Sequence, residues 1–333
     1  MRVVDHNAID VSKWDVYVEK HRYGTIFHTP EYYHVLAETP GHRPFALFCV
    51  DDSGRITGLL LAYYSDVLSG ALSSITRRIV LMNAPIVDDT KSMHNLLNSL
   101  KRKTKWNAIY LEIRNHYDLG SFQKAYSQAG YVYDQHLNIL VDLAKSEDDL
   151  WKDVSASRRR EIRKAVKEGF NFCVEDKNGE DKLYPILQEI YGRAKLPLVS
   201  KGYFESVYKM PRDKFAVLCL YLENEVVGAL LVLMNKNTVY GLYGGSKEAY
   251  FKQRPNDLLF WSALLWAKSN GYTVFDWLGA GHPDKPYGVR EWKKQFGGEF
   301  VNYGRYYYYP NKLLFGMAER IFRLYRQCLK DKK

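Results

Sequence analysis

The residues best suited to chemistry lie close together late in the chain, between Asp276 and Gly298. A strand-like run ends at Leu278, and a loop rich in glycine and proline follows it. The loop leads into a segment that mixes cations with aromatic rings. A strand end, a flexible backbone and then cations and aromatics are typical of a binding cleft. The candidate residues of this segment are Asp276, Gly279, Gly281, His282, Tyr287, Arg290, Trp292 and Lys293.

An internal repeat indicates which elements position this segment. Residues 45–61 and 215–231 align at a constant offset of 170 and share their Phe-Ala, Cys and Gly positions. Each copy has two apolar strands joined by a polar turn, a β-hairpin pattern, followed by a helical stretch and a buried strand. The sequence therefore predicts an α/β protein with mixed sheets and two domains related by duplication. The predicted boundaries are 1–145 and 146–310, with a basic amphipathic helix at 311–333.

The composition is that of a globular protein. Hydrophobic residues make up 46% and charged residues 26%, which argues against disorder. No apolar run approaches the ~18 residues of a membrane span, and the N-terminus predicts no signal peptide. The four cysteines and nine histidines show no metal-ligand spacing. We therefore expect a cytoplasmic protein with buried thiols, no metal and no cofactor.

The order of hairpin, helix and strand resembles the GNAT acyltransferase fold. Two such halves, the basic stretch 157–169 and the motif 288–297 together resemble the FemAB family. In that family, tandem GNAT-like domains transfer an amino acid from aminoacyl-tRNA to an amino group of a peptidoglycan precursor. This chain resembles a short form, since it lacks the long charged helical hairpin of larger members. It also has Leu36 and His34 where a lysine often follows the early motif at 27–32.

The resemblance implies an N-acyltransferase that moves an aminoacyl group from aminoacyl-tRNA to a cell-envelope precursor. Two alternatives are a CoA-dependent N-acyltransferase acting on an amino sugar or polysaccharide precursor, and a non-catalytic binding protein. The turn at 252–257 argues against binding of CoA, because phosphate binding at a helix N-terminus uses free N–H groups. That turn has no glycine, Pro255 has no N–H, and Asp257 would put negative charge at the phosphate position.

Acyl transfer to an amine requires aligned reactants, a proton acceptor and stabilisation of the tetrahedral oxyanion. Lys293 is the first candidate, since the family's lysine at this motif engages the acyl donor and its ammonium could stabilise negative charge. A solvated lysine beside Lys294 is the alternative. Asp276 could accept a proton or orient the incoming ammonium. It could equally accept hydrogen bonds from the backbone of 279–281.

The other candidates of this domain are predicted to contact substrate. Tyr243 lies where GNAT-like domains place substrate-facing residues and is a third catalytic candidate, although packing in the core is the favoured alternative. Trp292 and Phe296 lie four residues apart, which favours packing on one helix face. His282, a lone loop histidine, ranks low as a base. The predicted substrate-binding set is Tyr287, Arg290, Trp292, Gly279, Gly281 and His282.

The net charge of +10 is concentrated in two places. The segment 151–170 contributes +4 and the tail 312–333 contributes +5, so the rest is nearly balanced. Basic surfaces of this kind indicate a phosphate-rich partner, with a merely solvated face as the alternative. The predicted contacts to tRNA phosphates are Arg159, Arg160, Arg163 and Lys164. The tail helix is predicted either to pack on the second domain or to lie on an anionic membrane surface.

Overall fold

The computed structural model describes residues 1–66, 77–105, 107–317 and 320, and the chain divides into two compact units. Unit 1 comprises Met1–Asp134 and Tyr303–Lys333, and unit 2 comprises Gln135–Asn302. Each unit contains one mixed sheet with helices packed against it. The predicted α/β class with tandem domains is confirmed.

The described strands are β1 Arg2–Asp5, β2 His42–Val50, β3 Ile56–Ser65, β4 Arg78–Leu81, β5 Ile86–Val87, β6 Tyr110–Arg114, β7 Val132–Asp134, β8 Asn138–Asp142, β9 Asn171–Glu175, β10 Phe215–Leu222, β11 Glu225–Asn235, β12 Thr238–Ser246, β13 Val274–Gly279, β14 Glu299–Val301 and β15 Arg305–Tyr308. The described α-helices are α1 Val11–Lys20, α2 Pro30–Glu38, α3 Thr90–Lys105, α4 Gln123–Gln128, α5 Glu147–Asp153, α6 Ala156–Lys167, α7 Gly179–Ala194, α8 Lys201–Val207, α9 Pro255–Ser269 and α10 Gly288–Lys294. Residues 312–317 are also helical.

The two sheets correspond strand for strand. Unit 1 has the order β1-β2-β3-β4-β6-β15-β7, and unit 2 has the order β9-β10-β11-β12-β13-β8-β14. Along each path one neighbouring pair is parallel, β4 with β6 and β12 with β13. All other neighbours are antiparallel. This equivalence is what duplication of one α/β domain would produce.

In each sheet, the sixth strand in the order given above comes from the part of the chain that otherwise forms the other unit. β8 follows β7 in the chain but lies between β13 and β14, whereas β15 follows β14 but lies between β6 and β7. The predicted boundaries at 145 and 310 instead assigned β8 to the first domain and β15 to the second. The structural division differs because each sheet is completed by a strand from beyond the expected boundary.

The hairpin glycines occupy equivalent positions, as predicted. Gly58 in β3 and Gly228 in β11 each follow a bulge in the second strand of their hairpin. A Cβ added at Gly58 would lie 3.2 Å from Leu96 of α3, and one at Gly228 would lie 3.3 Å from Leu259 of α9. The missing side chains therefore let the following helix pack closely on each sheet.

Both faces of each sheet are covered, which is why the central strands are continuously hydrophobic. In β2, the ring of Phe48 lies 5.1 Å from Trp14 of α1 on one face. On the other face, the thiol of the adjacent Cys49 donates to the carbonyl of Ser92 in α3 at 3.5 Å. Unit 2 is built alike, with α6 and α9 covering one face of its sheet.

The predicted tail helix is only partly described. Residues 312–317 are helical, and Leu313 and Met317 are 82% and 61% exposed. The remainder of the predicted helix, at 318–319 and 321–333, lies outside the described residues. Within the described part, the ring of Phe315 lies 5.4 Å from that of Tyr110 in β6, so the start of this helix packs on the first domain rather than on the second. Contact of the tail with a membrane stays a prediction. No helix in the described part of the chain has the length and apolar character that crossing a bilayer requires.

The strand exchange predicts which fragment folds by itself. We expect residues 135–302 to unfold cooperatively when expressed alone, because this segment contains every strand of its sheet. Residues 146–310 lack β8, so the edge of β13 would lose its antiparallel partner and a cooperative transition should be absent. Thermal unfolding followed by circular dichroism distinguishes the two fragments. Equal cooperative unfolding of both would contradict the assignment of β8.

Candidate active site

Two neighbouring parallel strands of unit 2, β12 and β13, part at their carboxyl ends. β12 and β13 pair only over Thr238–Tyr240 and Val274–Asp276. Beyond these residues β12 continues to Ser246 and β13 to Gly279 without pairing to each other. Ligands of α/β proteins commonly bind outside the carboxyl ends of neighbouring strands. The parted ends therefore form the natural place for a substrate.

The end of β13 is bulged and carries an unusual backbone conformation. Its register against β8 shifts between Asp276 and Gly279, and Leu278 has φ +56°. A left-handed conformation is uncommon for a leucine, and such outliers gather at functional sites. The bulge directs two carbonyl groups, those of Trp277 and Gly279, at one side chain, Lys293.

Lys293 is held at this strand end rather than in solvent. Its Nζ donates to the carbonyl of Trp277 at 2.6 Å and to that of Gly279 at 3.2 Å. Burial lowers the pKa of Lys293 to about 8, although the nearby charge of Asp276 acts in the opposite direction. The adjacent Lys294 is exposed and lies over the ring of Phe300 at 5.6 Å.

Asp276 stabilises the bulge at the end of β13. Its buried carboxylate accepts a hydrogen bond from the Leu278 amide at 2.7 Å, and both its oxygens lie 3.5 Å from Nδ2 of Asn138. The predicted backbone contact thus exists, but its donor is Leu278 rather than residues 279–281. Asn138 was missed because it belongs to β8, which the sequence assigned to the other domain.

Arg290 organises the loop that follows β13. Its buried guanidinium donates to the carbonyl oxygens of His282 at 2.7 Å, Lys285 at 2.9 Å and Ala280 at 3.4 Å. These contacts hold the loop in one conformation, and substrate binding by Arg290 stays a prediction. His282 also makes a hydrogen bond within this loop, since its Nδ1 accepts from the Asp284 amide at 3.1 Å.

Tyr287 packs across the same loop. Its ring lies where a Cβ at Gly281 would come within 3.0 Å, and Gly281 has φ +75°. Glycine is therefore required at Gly281 for both space and conformation. Tyr287 itself remains 40% exposed, which leaves its ring available to a ligand.

Tyr243 belongs to an aromatic wall between β12 and the helices α7 and α8. Its half-buried ring lies 5.3 Å from Phe204, 5.9 Å from Tyr203 and 6.3 Å from Tyr191. Burial raises the pKa of Tyr191, and the neighbouring Tyr287 adds to that rise. The favoured packing interpretation of Tyr243 thus agrees with its surroundings. No local pattern in the sequence indicated its three ring partners.

Trp292 takes part in a buried polar cluster at the start of α9. Asp257 accepts hydrogen bonds from Arg158 and, at 3.3 Å, from Nε1 of Trp292. Burial raises the pKa of Asp257, while the Arg158 charge opposes the rise. The predicted negative charge of Asp257 at the phosphate position is therefore neutralised, so this argument against CoA binding fails.

The ring of Trp292 packs on those of Phe260 and Phe296, each at a centroid distance of 4.8 Å, as its spacing from Phe296 in the sequence favoured.

The four predicted phosphate contacts on α6 have different surroundings. Arg159 donates to the carbonyls of residues 151, 152 and 154 at 2.7–3.1 Å and thereby caps the end of α5. Lys164 is exposed and donates to the carbonyl of residue 252 at 2.8 Å. Arg163 lies over the ring of Trp151 at 5.4 Å. Arg160 is 76% exposed, and its Nε lies 3.5 Å from Oε1 of Glu161.

Together, the geometry brings Lys293, Gly279 and Asp276 to one strand end, and Gly281, His282, Tyr287 and Arg290 to one loop. Tyr243 and Trp292 lie in two separate aromatic groups. Within the described ranges, no three histidine, cysteine or acidic side chains are grouped as metal ligands.

Comparison with known proteins agrees with this architecture. Residues 152–294 match the family described as "Acetyltransferase (GNAT) domain". The structure is similar to that of FemX, with TM-score 0.71 and 16% identity over 95% of this chain and 99% of FemX. It is also similar to L-PGS from Bacillus licheniformis, with TM-score 0.60 and 18% identity over 95% and 96% of the two chains.

A tandem GNAT protein from the clavulanic acid biosynthesis pathway shares the fold as well, with TM-score 0.56 and 10% identity over 90% and 94% of the chains. A search of curated protein sequences found no match. The resemblance to tandem GNAT proteins of the FemX type is thus confirmed at the level of the fold. Residues 152–294 of unit 2 carry an acyltransferase domain of the GNAT type, so the chain is an acyltransferase.

Proposed function

We propose that the chain transfers an aminoacyl group from aminoacyl-tRNA to an amino group of a peptidoglycan or other cell-envelope precursor in the cytoplasm. The observation that carries this proposal is the Lys293 ammonium held by two carbonyls at the open end of β13. The fold of FemX supports the reaction class. Support also comes from a similar structure, the C-terminal domain of a putative lysylphosphatidylglycerol synthetase from Agrobacterium fabrum.

Lys293 would act in its protonated form. An ammonium has three N–H donors, and two of them bond to Trp277 and Gly279, which leaves the third for a substrate oxygen. A pKa near 8 makes this ammonium a stronger acid than an ordinary lysine. It can therefore stabilise the oxyanion and then protonate the departing oxygen at working pH.

The reaction balances with these groups. The neutral acceptor amine attacks the ester carbonyl carbon of the donor, so a C–N bond forms and a tetrahedral oxyanion develops. The C–O bond to the ribose then breaks, and the ribose oxygen takes a proton from Lys293. The amine proton released on amide formation returns to Lys293 or to water. No redox partner is needed.

The positioning residues keep this arrangement in place. Asp276 holds the bulge through the Leu278 amide, and Arg290 holds the loop through three carbonyls. Tyr287, which is partly exposed above Gly281, provides a surface for the aminoacyl side chain or the acceptor. The exposed charges of Arg160, Arg163 and Lys164 would contact donor phosphates.

CoA-dependent acyl transfer is the second candidate, and a specific observation favours it. Because Arg158 neutralises Asp257, the N-terminus of α9 does not repel a phosphate. The family match to acetyltransferases also favours CoA as the donor.

A transfer assay with cell-envelope precursors distinguishes the two donors. One arm contains mixed labelled aminoacyl-tRNAs, and the other contains labelled acetyl-CoA. Label transferred only from acetyl-CoA would refute the tRNA proposal, and no transfer in either arm would favour a binding protein.

We expect Lys293→Met to reduce transfer by at least about 100-fold, the usual cost of losing a preorganised oxyanion donor. Lys294→Met is the matched control and should retain activity, because Lys294 points into solvent. Both variants should keep a melting temperature close to that of the parent. In single-turnover measurements, the parent rate should fall as the pH rises through about 8, where Lys293 loses its proton. Near-normal turnover of Lys293→Met would remove Lys293 from the mechanism.

Replacement of Arg160 and Arg163 by Gln should weaken donor binding and make it less sensitive to salt. Each lost phosphate contact lowers the log–log salt slope by about 0.7–0.9. Lys13→Gln combined with Lys124→Gln is the control, since it removes the same charge from exposed positions in unit 1. Fluorescence titrations with aminoacyl-tRNA at several salt concentrations provide the slopes. Equal slopes for the two double variants would show that α6 is only a solvated face.

A further inference from the structure

A buried ion pair lies against the helix that carries Lys293. Arg158 of α6 donates to Oδ1 of Asp257 in the first turn of α9, and the two side chains are only 10% and 4% exposed. Two residues of the α10 segment contact this pair. Nε1 of Trp292 donates to the same carboxylate at 3.3 Å, and Oε1 of Gln295 accepts from the guanidinium at 3.0 Å. We call Arg158 and Asp257 the buried pair.

The buried pair holds residues on either side of Lys293. Trp292 directly precedes the lysine and Gln295 follows it by two positions, and each is hydrogen-bonded to one member of the pair. The amide of Ser155, at the start of α6, also donates to the carbonyl of Gln295 at 2.9 Å. The backbone of Lys293 therefore lies between two points that are attached to α6 and α9.

α10 is too short to fix its own position. It has seven residues, and helices of this length depend on tertiary contacts for their stability. At its start, Arg290 binds the carbonyls of the loop after β13. At its end, the buried pair provides the corresponding contacts. The placement of Lys293 against the β13 bulge thus depends on both sets of contacts.

Aromatic packing alone does not specify this placement. The rings of Trp292 and Phe296 lie 4.8 and 6.4 Å from that of Phe260, but apolar attraction is not directional. The guanidinium of Arg158 lies over the rings of Trp292 and Phe296 at 5.4 and 5.3 Å. Its hydrogen bonds fix angles as well as distances, because the group is planar. The buried pair therefore supplies the directional contacts among α6, α9 and α10.

Stability is a poor explanation for two charges at this place. Burial raises the pKa of Asp257 although the charge of Arg158 opposes the rise, so desolvation of the carboxylate is costly. A buried ion pair commonly contributes little net free energy of folding, because this cost offsets the attraction. A role in fixing one conformation accounts better for the buried pair.

We propose that the buried pair positions Lys293 for acyl transfer. Arg158 and Asp257 fix the end of α10, and the ammonium of Lys293 is thereby kept at the carbonyls of the β13 bulge. The pair acts through α10 rather than by contact with the reacting atoms. Its effect on transfer rests on the proposed function, whereas the placement of the lysine is a property of the free protein.

The first test follows the titration of Lys293 in the free protein by nuclear magnetic resonance. Arg158→Gln removes the guanidinium that joins Asp257 to Gln295. Release of the end of α10 should expose the ammonium, so its midpoint should rise from about 8 toward the ordinary lysine value of about 10.4. Lys167→Gln removes an exposed charge from the same helix and is the matched control, whose Lys293 midpoint should stay near 8.

A double variant separates placement from stability. Arg158→Gln alone leaves the carboxylate of Asp257 buried without its cation, so the melting temperature should fall. Adding Asp257→Asn removes the second charge and keeps an oxygen for Trp292, so the melting temperature should recover. The Lys293 midpoint should stay raised, because the shorter glutamine side chain does not bridge α9 and α10. Recovery of both quantities would show a structural role alone and would overturn the proposal.

Trp292→Phe is a milder variant that should fold like the parent. It keeps an aromatic ring against Phe296 and removes only the Nε1 donor to Asp257. The Lys293 midpoint should again rise. A parental midpoint in both Trp292→Phe and Arg158→Gln would overturn the proposal, as would a parent midpoint already at the ordinary lysine value.

Single-turnover transfer assays connect this placement with the proposed reaction. At saturating donor, Arg158→Gln should lower the rate at least about tenfold, because displacement of a catalytic group is costly, and should leave donor affinity unchanged. Lys167→Gln should keep the parental rate. A raised Lys293 midpoint in Arg158→Gln with a normal rate would refute the proposed function of the lysine. An unchanged midpoint in an active protein would refute the positioning role alone.

Discussion

The candidate active site depends on one interaction, the pair of hydrogen bonds from the Lys293 ammonium to the carbonyls of Trp277 and Gly279. These carbonyls converge because β13 is bulged at its end, and the bulge persists because Asp276 binds the Leu278 amide. Burial of the ammonium lowers its pKa, which turns an ordinary lysine into an acid suited to neutral pH. Strand geometry, helix placement and chemistry are therefore linked at a single nitrogen.

The two units use one framework with different electrostatics. In unit 2, the acid on the strand corresponding to β6 supports a backbone bulge and a lysine. In unit 1, the equivalent Glu112 is surrounded by arginines. Duplication followed by divergence at corresponding strand positions explains how one framework carries different side chains at equivalent places. The exchange of β8 and β15 makes each sheet depend on the other half of the chain.

Local patterns in the sequence were sufficient for the elements and for the segment that carries the site. The hairpins, Gly58 and Gly228 were predictable because strand periodicity and glycine requirements are local properties. The strand exchange was not, since β8 and β15 have nothing in their composition that specifies which sheet they complete. The hydrogen-bond partners of long side chains could not be predicted from the sequence either. Arg158 donates to Asp257, which lies 99 residues later in the chain, and Arg159 and Arg290 donate to backbone carbonyls.

Nuclear magnetic resonance can measure directly whether Lys293 is an ammonium with a depressed pKa. The Cε resonance of Lys293 in ¹³C-lysine-labelled protein can be assigned by its disappearance in Lys293→Met and followed from pH 6 to pH 11. We expect a titration midpoint of Lys293 near 8, with Lys294 as the internal reference in the same spectra. A midpoint of Lys293 near the ordinary lysine value of about 10.4 would contradict it.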